Sequence, residues 1–481
     1  MDVGGQAAFS GDEGAVLPWE ALAGVRGYGV DGVCVQDPGA EAGAFVYAGT
    51  ALPYEAPWGV VEVPDSLEVV FVNHVGRHGA RFLSSDKAVA GLSAYLRGRG
   101  DLTPVGRRLL AFCSAVDSVT GERWGALDAL GREEQSGIGD RFAVRYGGLL
   151  GMNDSVCGVS SYVPRCVMSM DEMTHGVVWR ARGVELCTGS GRRFDALLRP
   201  FDVDSAYLAY RRAGEWRRVL DGFCDSVCPA AVALRLDMRG ARFVERLCGE
   251  LARRGVPESG GVMEVALADT LAGEWPAEWV AECGLTKGEA LGVARSVYKL
   301  VSGVVAMNYG ADSLPVGVCA DWRGYFTEME YERLWECGNL EHYLTYSANG
   351  LSEAPALMAR GLLGELVSTL EAAAEPGYAG PGAIVRFGHA ETMMPLEALM
   401  DLPGCRYVTD DWGSVAEHWQ DWNVAPMAVN VQLVLCRSRG RGELYLLTFR
   451  NERLVRGVEP WVGALGRLRE SLCGECAGSG R

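Results

Sequence analysis

The chain has 481 residues, of which 48% are hydrophobic and 22% are charged. This length exceeds one comfortable hydrophobic core, so it predicts two domains or one large domain with a sizeable insertion, and it excludes a small disulfide-stapled scaffold. The formal net charge of −17 argues against sequence-independent binding of nucleic acid, which needs a broad basic face. A polyanionic ligand would therefore need a local basic pocket.

The N-terminal segment, from Met1 to Gly14, is polar and acidic and lacks the basic start and apolar run of a secretory signal. The sequence thus leaves open a cytosolic protein or one whose leader has been removed. The longest apolar runs, residues 69–72 and 429–436, are too short to span a membrane. Residues 1–60 are rich in Gly, Ala and Pro, and we expect irregular structure with short strands there.

The first strong strand is predicted over residues 67–74, and it leads into the turn Arg77-His78-Gly79-Ala80-Arg81. A neutral imidazole can attack phosphorus to form a phosphohistidine, and two guanidiniums suit the equatorial oxygens of a phosphoryl group. Gly79 is expected to let the backbone approach the phosphate closely. The turn therefore predicts phosphoryl transfer, the alternative being a surface turn whose polar side chains are merely solvated.

Helical periodicity dominates the next part of the chain. We predict helices over residues 88–97, 103–116, 131–150, 168–182, 205–306 and 327–346, the second capped by Thr103 with Pro104 at its first position. A second strand, predicted over residues 155–160, leads through Ser161-Tyr-Val-Pro-Arg165 into the fourth of these helices. The long helical stretch predicts a helical domain that is inserted into, or caps, a sheet.

A third strand is predicted over residues 383–388, after a helix over 353–374, and it runs into His389-Ala390-Glu391. Residues 429–437 and 443–450 predict a β-hairpin. Strand, turn and helix therefore recur three times, with polar residues in the turn, where open α/β sheets bind ligands. From the residues alone, His389 is equally consistent with a core histidine, and Glu391 with an ordinary acid in the first turn of a helix.

Other polar residues carry weaker signals. His74 lies four residues before His78, but on a strand-to-turn segment this spacing does not predict a metal pair. His175, His342 and His418 are interpreted as structural or exposed. Gly189-Ser-Gly191 is too short for a dinucleotide fingerprint and follows no convincing strand. Most arginine doublets are expected on solvated helix faces, with one or two left to line a polyphosphate cleft: Arg107-Arg108, Arg192-Arg193, Arg211-Arg212 and Arg217-Arg218.

The fifteen cysteines form no zinc pattern, and their odd number leaves at least one thiol outside any intramolecular disulfide. Cys224 and Cys228, one helical turn apart, are either core residues or one half of a disulfide. The isolated pair Cys473 and Cys476 is interpreted as part of a frayed terminus. The cysteines do not settle the redox compartment.

Two motifs, Arg77-His78-Gly79-Ala80-Arg81 and Phe387-Gly-His389-Ala-Glu391, resemble those of the histidine phosphatase superfamily, in its branch of acid phosphatases and phytases. The His-Ala-Glu sequence is similar to that of the multiple inositol polyphosphate phosphatases, whereas most of the branch has His-Asp. Further similar segments follow in the same order, so the resemblance spans residues 48–455. It implies an α/β fold, a sheet with helices on both faces plus an inserted mostly α-helical domain.

The resemblance also implies a role for each candidate residue. It makes His78 the nucleophile and Glu391 the proton donor, which fits the chemistry, because an inositol alkoxide is a poor leaving group that needs a proton. The sign of the net shift in the pKa of Glu391 is not readable from the sequence. No cofactor and no metal are implied. The scissile phosphate is expected to be bound by Arg77, Arg81, Arg165 and His389.

We therefore expect a phosphomonoesterase that acts on inositol polyphosphates such as phytate. Residues 1–105, 150–205 and 350–481 are predicted to form a discontinuous α/β domain, and residues 106–149 with 206–349 an α-helical cap. Two alternatives stay open: a broad-specificity acid phosphatase acting on sugar phosphates, and a non-catalytic inositol-phosphate-binding protein. A secreted or periplasmic location is implied by the resemblance, and a cytoplasmic one stays open.

Overall fold

A mixed β-sheet lies at the centre of the molecule. The computed structural model describes residues 46–151, 155–227, 229–259, 261–309, 311–315 and 321–473. In these ranges the strands are β1 (Leu67–Arg77), β2 (Ser155–Ser160), β3 (Glu185–Ser190), β4 (Ala383–Gly388), β5 (Asn430–Ser438), β6 (Leu444–Arg450) and β7 (Arg453–Pro460). They form one seven-stranded sheet in the order β3-β2-β4-β1-β5-β6-β7.

The sheet is parallel on one side and antiparallel on the other. Strand β4 pairs in parallel with both β2 and β1, and β2 pairs in parallel with β3. Strand β1 pairs antiparallel with β5, which continues through the predicted hairpin to β6 and then β7. Arg77 lies opposite Gly388, and Ser160 lies opposite Phe387. The carboxyl ends of β1, β2 and β4 therefore meet at one edge of the sheet.

Helices make up most of the rest. Residues 87–203 contain α1 (Lys87–Gly98), α2 (Pro104–Thr120), α3 (Ala129–Arg145), α4 (Gly147–Leu150), α5 (Pro164–Arg180), α6 (Asp195–Leu198) and α7 (Pro200–Val203). The middle contains α8 (Ser205–Ala213), α9 (Glu215–Ser226), α10 (Ala231–Leu234), α11 (Met238–Arg253), α12 (Val262–Ala272), α13 (Ala277–Cys283) and α14 (Lys287–Gly303). The last third contains α15 (Glu328–Tyr346), α16 (Ala354–Leu357), α17 (Arg360–Ala374), α18 (Ala390–Leu399), α19 (Val415–His418), α20 (Asp421–Val424) and α21 (Trp461–Cys473).

Both faces of the sheet are covered by helices. Successive strand residues point to opposite faces, so the contacts of two neighbouring residues show what covers each face. Phe71 packs in an apolar cluster with residues of α15, α17, α18 and α21. Its neighbour Val72 packs in a different cluster, with residues of α3, α4 and α5. This arrangement confirms the predicted α/β fold with helices on both faces of the sheet.

A second apolar core lies away from the sheet. It joins α1 and α2 to α14 through residues such as Leu92, Phe112 and Val297, and a further cluster joins α10 to α14. The predicted domain boundaries stay a prediction, although they assign α1 to the α/β part and α3 to the cap. The apolar contacts group these helices the other way, α1 with α2 and α14, and α3 with α5 and the sheet.

Two strands are absent from the sequence-based prediction. β3 and β7 lie at the two edges of the sheet, and most of their residues are exposed or half-buried, so they lack the apolar pattern of a buried strand. Gly189 lies within β3, so the expectation that no strand precedes Gly191 is wrong. Within residues 46–66 the structure has a 3-10 helix at Val46–Ala51 and no strand, in contrast to the expected short strands. The remainder of that segment, residues 1–45, lies outside the described residues.

The eleven cysteines in the described residues have free thiols. Cys224 is buried in α9, in agreement with a core residue. Cys228, one helical turn further along, and Cys476 lie outside the described residues. Among the described helices, none combines the length and the apolar character required to cross a lipid bilayer.

Candidate active site

The site lies where β1, β2 and β4 end. Arg77 is the last residue of β1, His389 directly follows β4, and Arg165 lies in the first turn of α5 after β2. This is the edge of an open α/β sheet at which ligands bind. The recurring strand, turn and helix of the sequence therefore bring the three segments together.

The loop after β1 is held by backbone hydrogen bonds on several sides. The backbone N–H of His78 donates to Gly388 O (3.2 Å), that of Gly79 to Ser169 Oγ (3.1 Å), and that of Ala80 to the Glu134 carboxylate (2.6 Å). A Cβ on Gly79 would lie 2.4 Å from Gly131 O. The close approach of α3 therefore requires glycine at position 79. The sequence predicts this glycine for another reason, the approach of the backbone to phosphate.

The tautomer of His78 follows from its backbone partner. His78 Nδ1 lies 2.9 Å from Gly79 O, and because a carbonyl only accepts, Nδ1 carries the proton. The residue is buried, with 2% of its surface exposed. Burial, followed by the charges of Arg77, Arg165 and Arg81, lowers the pKa of His78 well below its ordinary value. His78 is therefore neutral, and its Nε2 carries a free lone pair.

Three guanidiniums surround His78, and each has a donor left over. Arg77 Nη1 donates to Thr50 O (2.5 Å) and Ala425 O (2.6 Å), which fixes its side chain. Arg81 Nη1 donates to Phe82 O (2.8 Å). Within the described residues, the buried Nε of Arg77, of Arg81 and of Arg165 has no hydrogen-bond partner. Leaving a buried donor without an acceptor costs about 1–3 kcal/mol, so the three together favour a bound anion.

The cations also repel one another. Burial, then the neighbouring Arg81, lowers the pKa of Arg77 to about 9, and burial, then Arg165, lowers that of Arg81 to about 10. Both side chains nevertheless stay protonated at neutral and acidic pH. A bound dianion would relieve this repulsion.

His389 lies between two guanidiniums. Arg165 Nη2 is 3.3 Å from its Nδ1, and Arg199 Nη1 is 2.9 Å from its Nε2, which also lies 3.1 Å from Ser161 Oγ. Burial and these arginine charges lower the pKa of His389 to about 3. The ring is 5.8 Å from that of His78, centroid to centroid. His389 is therefore a neutral ring beside the nucleophile candidate.

Glu391 lies in the first turn of α18 and lines the cleft next to Arg77 and Arg81. Burial by itself raises the pKa of Glu391, but the groups around it, including a backbone N–H and the Arg77 guanidinium, outweigh burial, and the net pKa is lowered. This answers the question of sign that the sequence left open. All six residues singled out by the sequence thus lie in one site.

Three of these residues, Arg77, Arg81 and Glu391, line a cleft of about 380 Å³. Beyond the motif residues it is lined by Arg211, Lys299, His342 and Asp421, which come from α8, α14, α15 and α20. Arg211 confirms that one arginine of the doublets lines the cleft. His342, expected to be structural or exposed, is partly exposed and also lines the cleft. Arg199 is a contact of His389 that no sequence motif marks.

His74 has no part in the site. Its ring is buried and lies against Phe142 and Phe387, and burial lowers its pKa to about 3. It is a neutral core residue. The part of the chain that the structure describes contains no group of three or more His, Cys, Asp or Glu side chains arranged to hold a metal ion.

Comparison with known proteins gives structural matches only. No family model and no curated protein matches the sequence. The multiple inositol polyphosphate phosphatase of Bifidobacterium longum, in complex with phosphate, matches with a TM-score of 0.62 at 17% identity, covering 85% of this chain and 92% of that one. Its complex with inositol hexasulfate gives 0.61 at the same identity and coverage. The phytase of D. castellii matches with a TM-score of 0.54 at 14% identity, covering 91% of this chain and 86% of that one. The chain therefore has the same fold as these two enzymes, as the motifs predicted.

Proposed function

We propose that this protein is a histidine acid phosphatase that hydrolyses inositol polyphosphates such as phytate through a phosphohistidine at His78. The observation that carries the proposal is the surplus of buried donors: the Nε groups of Arg77, Arg81 and Arg165 surround a neutral His78 and have no acceptor in the described residues. A tetrahedral phosphate group has the charge and the oxygens to accept from all three. Single buried guanidinium donors without an acceptor also occur elsewhere, at Arg386 and Arg467; this site differs because three of them lie around one neutral imidazole.

In the first half of the proposed reaction, His78 Nε2 forms a bond to phosphorus while the ester P–O bond breaks. The guanidiniums of Arg77, Arg81 and Arg165 stabilise the charge on the equatorial oxygens, and His389 adds a hydrogen bond. Glu391 gives its proton to the leaving alkoxide. Because its pKa is lowered in the free protein, this step favours acidic pH or a bound phosphate whose negative charge raises that pKa.

In the second half, the Glu391 carboxylate takes a proton from water as the water oxygen bonds to phosphorus. The N–P bond breaks, and the electron pair returns to His78 Nε2. The hydrogen bond from Nδ1–H to Gly79 O keeps the ring in the same tautomer through both halves. Inorganic phosphate leaves, and Glu391 is again protonated.

The assignment of a polyphosphate substrate is supported by the cleft. Arg211 and Lys299 line it together with Arg77 and Arg81, although the chain as a whole has a net charge of −17. A substrate with a single phosphate would have no use for the additional cations. The two Bifidobacterium complexes support the same class, since their ligands are phosphate and inositol hexasulfate. An exported location, implied by the motifs, stays a prediction.

The experiment that tests this function is phosphate release from phytate between pH 3 and pH 8, with chromatography of the lower inositol phosphates. The proposal expects release that is fastest at acidic pH. Faster turnover of sugar phosphates than of phytate would favour the broad-specificity acid phosphatase. Tight binding of phytate without any phosphate release would favour the non-catalytic binding protein.

A further inference from the structure

His342 and Asp421 form a pair on the wall of the cleft, outside the two motifs. His342 Nδ1 lies 2.7 Å from Asp421 Oδ2. The Asp421 side chain is 3% exposed and that of His342 is 31% exposed. A carboxylate accepts, so Nδ1 carries a proton in both charge states of the ring.

Asp421 is held rigidly behind the histidine. Its Oδ1 accepts from Trp335 Nε1 (2.9 Å), and its backbone N–H donates to Asn339 Oδ1 (2.7 Å). A Cβ on Gly49 would lie 2.9 Å from Asp421 Oδ2, so the backbone closes over the carboxylate. Among the described residues its ion-pair partner is His342 alone. A buried carboxylate thus lies in the wall of a cleft proposed to bind polyanions, and within the described ranges His342 is the one ionisable group paired with its charge.

The second nitrogen of His342 is available to a ligand. In the described part of the chain Nε2 has no hydrogen-bond partner. It does not belong to the buried unpartnered atoms either, so it is accessible. Protonated, Nε2–H is a donor and the pair carries no net charge. Neutral, Nε2 is a lone pair and the pair carries a charge of −1. One proton therefore changes both the charge of this wall and the direction of its hydrogen bond.

Other charged groups act on the same ring. Burial lowers the pKa of His342, but the hydrogen bond and charge of Asp421, with Glu341 and Glu391, outweigh burial and raise it above its ordinary value. Tyr346 lies beside the ring, 6.2 Å between centroids. The cations that line the cleft with it are Arg77, Arg81, Arg211 and Lys299.

We infer that the His342–Asp421 pair is a proton-dependent binding site for a second phosphate group of the substrate, one that is not being cleaved. This inference rests on the proposed function. The protonated ring donates Nε2–H to an oxygen of that phosphate. Deprotonation replaces the donor by a lone pair and leaves the negative charge of Asp421 without a compensating cation, so the same phosphate is repelled. A substrate with a single phosphate, held at His78, does not engage the pair.

The direct test uses inositol hexasulfate, a polyanion without a phosphate to be cleaved, and follows the His342 ring nitrogens by NMR as pH is varied. His342→Gln assigns the signal, and with six histidines in the chain the spectrum is simple. If the ligand prefers the imidazolium, linkage requires that binding raise the pKa of His342. We expect a rise of about one pH unit, which corresponds to about a tenfold preference. An unchanged pKa at saturating hexasulfate would overturn the inference.

Kinetics provides the second test. We expect His342→Gln to raise the KM for phytate at pH 5 about tenfold relative to the KM for p-nitrophenyl phosphate, by loss of a charged hydrogen bond. Asp421→Asn should move the rise of KM for phytate to lower pH, because the carboxylate no longer favours the protonated ring. His175→Gln, at an exposed position, is the matched control. Equal changes for both substrates, or a loss in kcat alone, would mean that His342 acts on Glu391 instead. No phosphate release from phytate by the wild type would contradict the proposed function, not the binding measured with hexasulfate.

Discussion

Gly79 and Gly131 pack backbone against backbone, so that a Cβ on Gly79 would lie 2.4 Å from Gly131 O and one on Gly131 would lie 2.1 Å from Ala80 O. The loop that carries His78 therefore depends on helix α3, which begins 50 residues later in the chain at Ala129. The contact leaves no room for any other residue at either position. It positions the backbone next to the nucleophile candidate, His78.

We predict that Gly131→Ala lowers both activity and thermal stability. Glycine to alanine inside a helix normally stabilises by about 0.5–1 kcal/mol. Here the new methyl group meets backbone atoms that cannot move aside, so the loop after β1 must shift. Gly249→Ala in α11 is the control, because its Cβ would meet no atom within 4 Å. A Gly131→Ala variant as active and as stable as wild type would show that the loop is not held by α3.

The second prediction concerns Glu391. Glu391→Gln should slow hydrolysis of phytate by about 10²-fold or more, since it removes the proton donor for a poor leaving group. Hydrolysis of p-nitrophenyl phosphate should change far less, because its leaving group barely needs a proton. Single-turnover rates on the two substrates measure the difference. Equal losses on both would count against Glu391 as the acid.

The third prediction concerns Arg165. Arg165→Ala should raise the inhibition constant of inorganic phosphate by about tenfold or more, because it removes a charged donor to the bound anion. Arg180→Ala, on the same helix but exposed and paired with Asp140, serves as the control. Unchanged inhibition in Arg165→Ala would remove this residue from the phosphate site.

The fourth prediction follows from the charge state of His78. Its pKa is lowered well below the ordinary value, so lowering the pH from 6.5 to 5 leaves the ring neutral and able to attack. We therefore expect kcat/KM for p-nitrophenyl phosphate not to decrease over that interval. A nucleophile with the ordinary pKa of about 6.5 would instead lose activity about tenfold for each pH unit below it. A pH profile with that slope would contradict the assignment.

Much of the site was predictable from the sequence, because it is encoded in short segments. Arg77 ends β1 and His78 follows it, and His389 follows β4 with Glu391 two residues later, so neighbours in sequence are neighbours in the site. The strands β1 and β4 also carry clear apolar patterns, since they lie in the middle of the sheet.

The remaining parts depend on long-range packing that leaves no local pattern. Arg199 contacts His389 across 190 residues, and His342 contacts Asp421 across 79. In the sequence, nothing distinguishes Arg199 or His342 from an arginine or histidine that is exposed to solvent. The edge strands β3 and β7 were not predicted, because their residues are exposed or half-buried and the sequence therefore lacks the apolar pattern of a strand there. The requirement for glycine at position 79 also comes from a distant part of the sequence, because Gly131 of α3 packs against it.

The measurement that tests the central claim most directly is trapping of the covalent intermediate. Wild-type protein is mixed with ³²P-labelled phytate, quenched within milliseconds in alkaline detergent that preserves phosphohistidine, and compared with His78→Ala and with His175→Ala at an exposed position. We predict that wild type and His175→Ala carry label on His78, that the label is stable to base and labile to acid, and that His78→Ala carries none. Label that persists in His78→Ala, or phytate hydrolysis by that variant at the wild-type rate, would contradict the account.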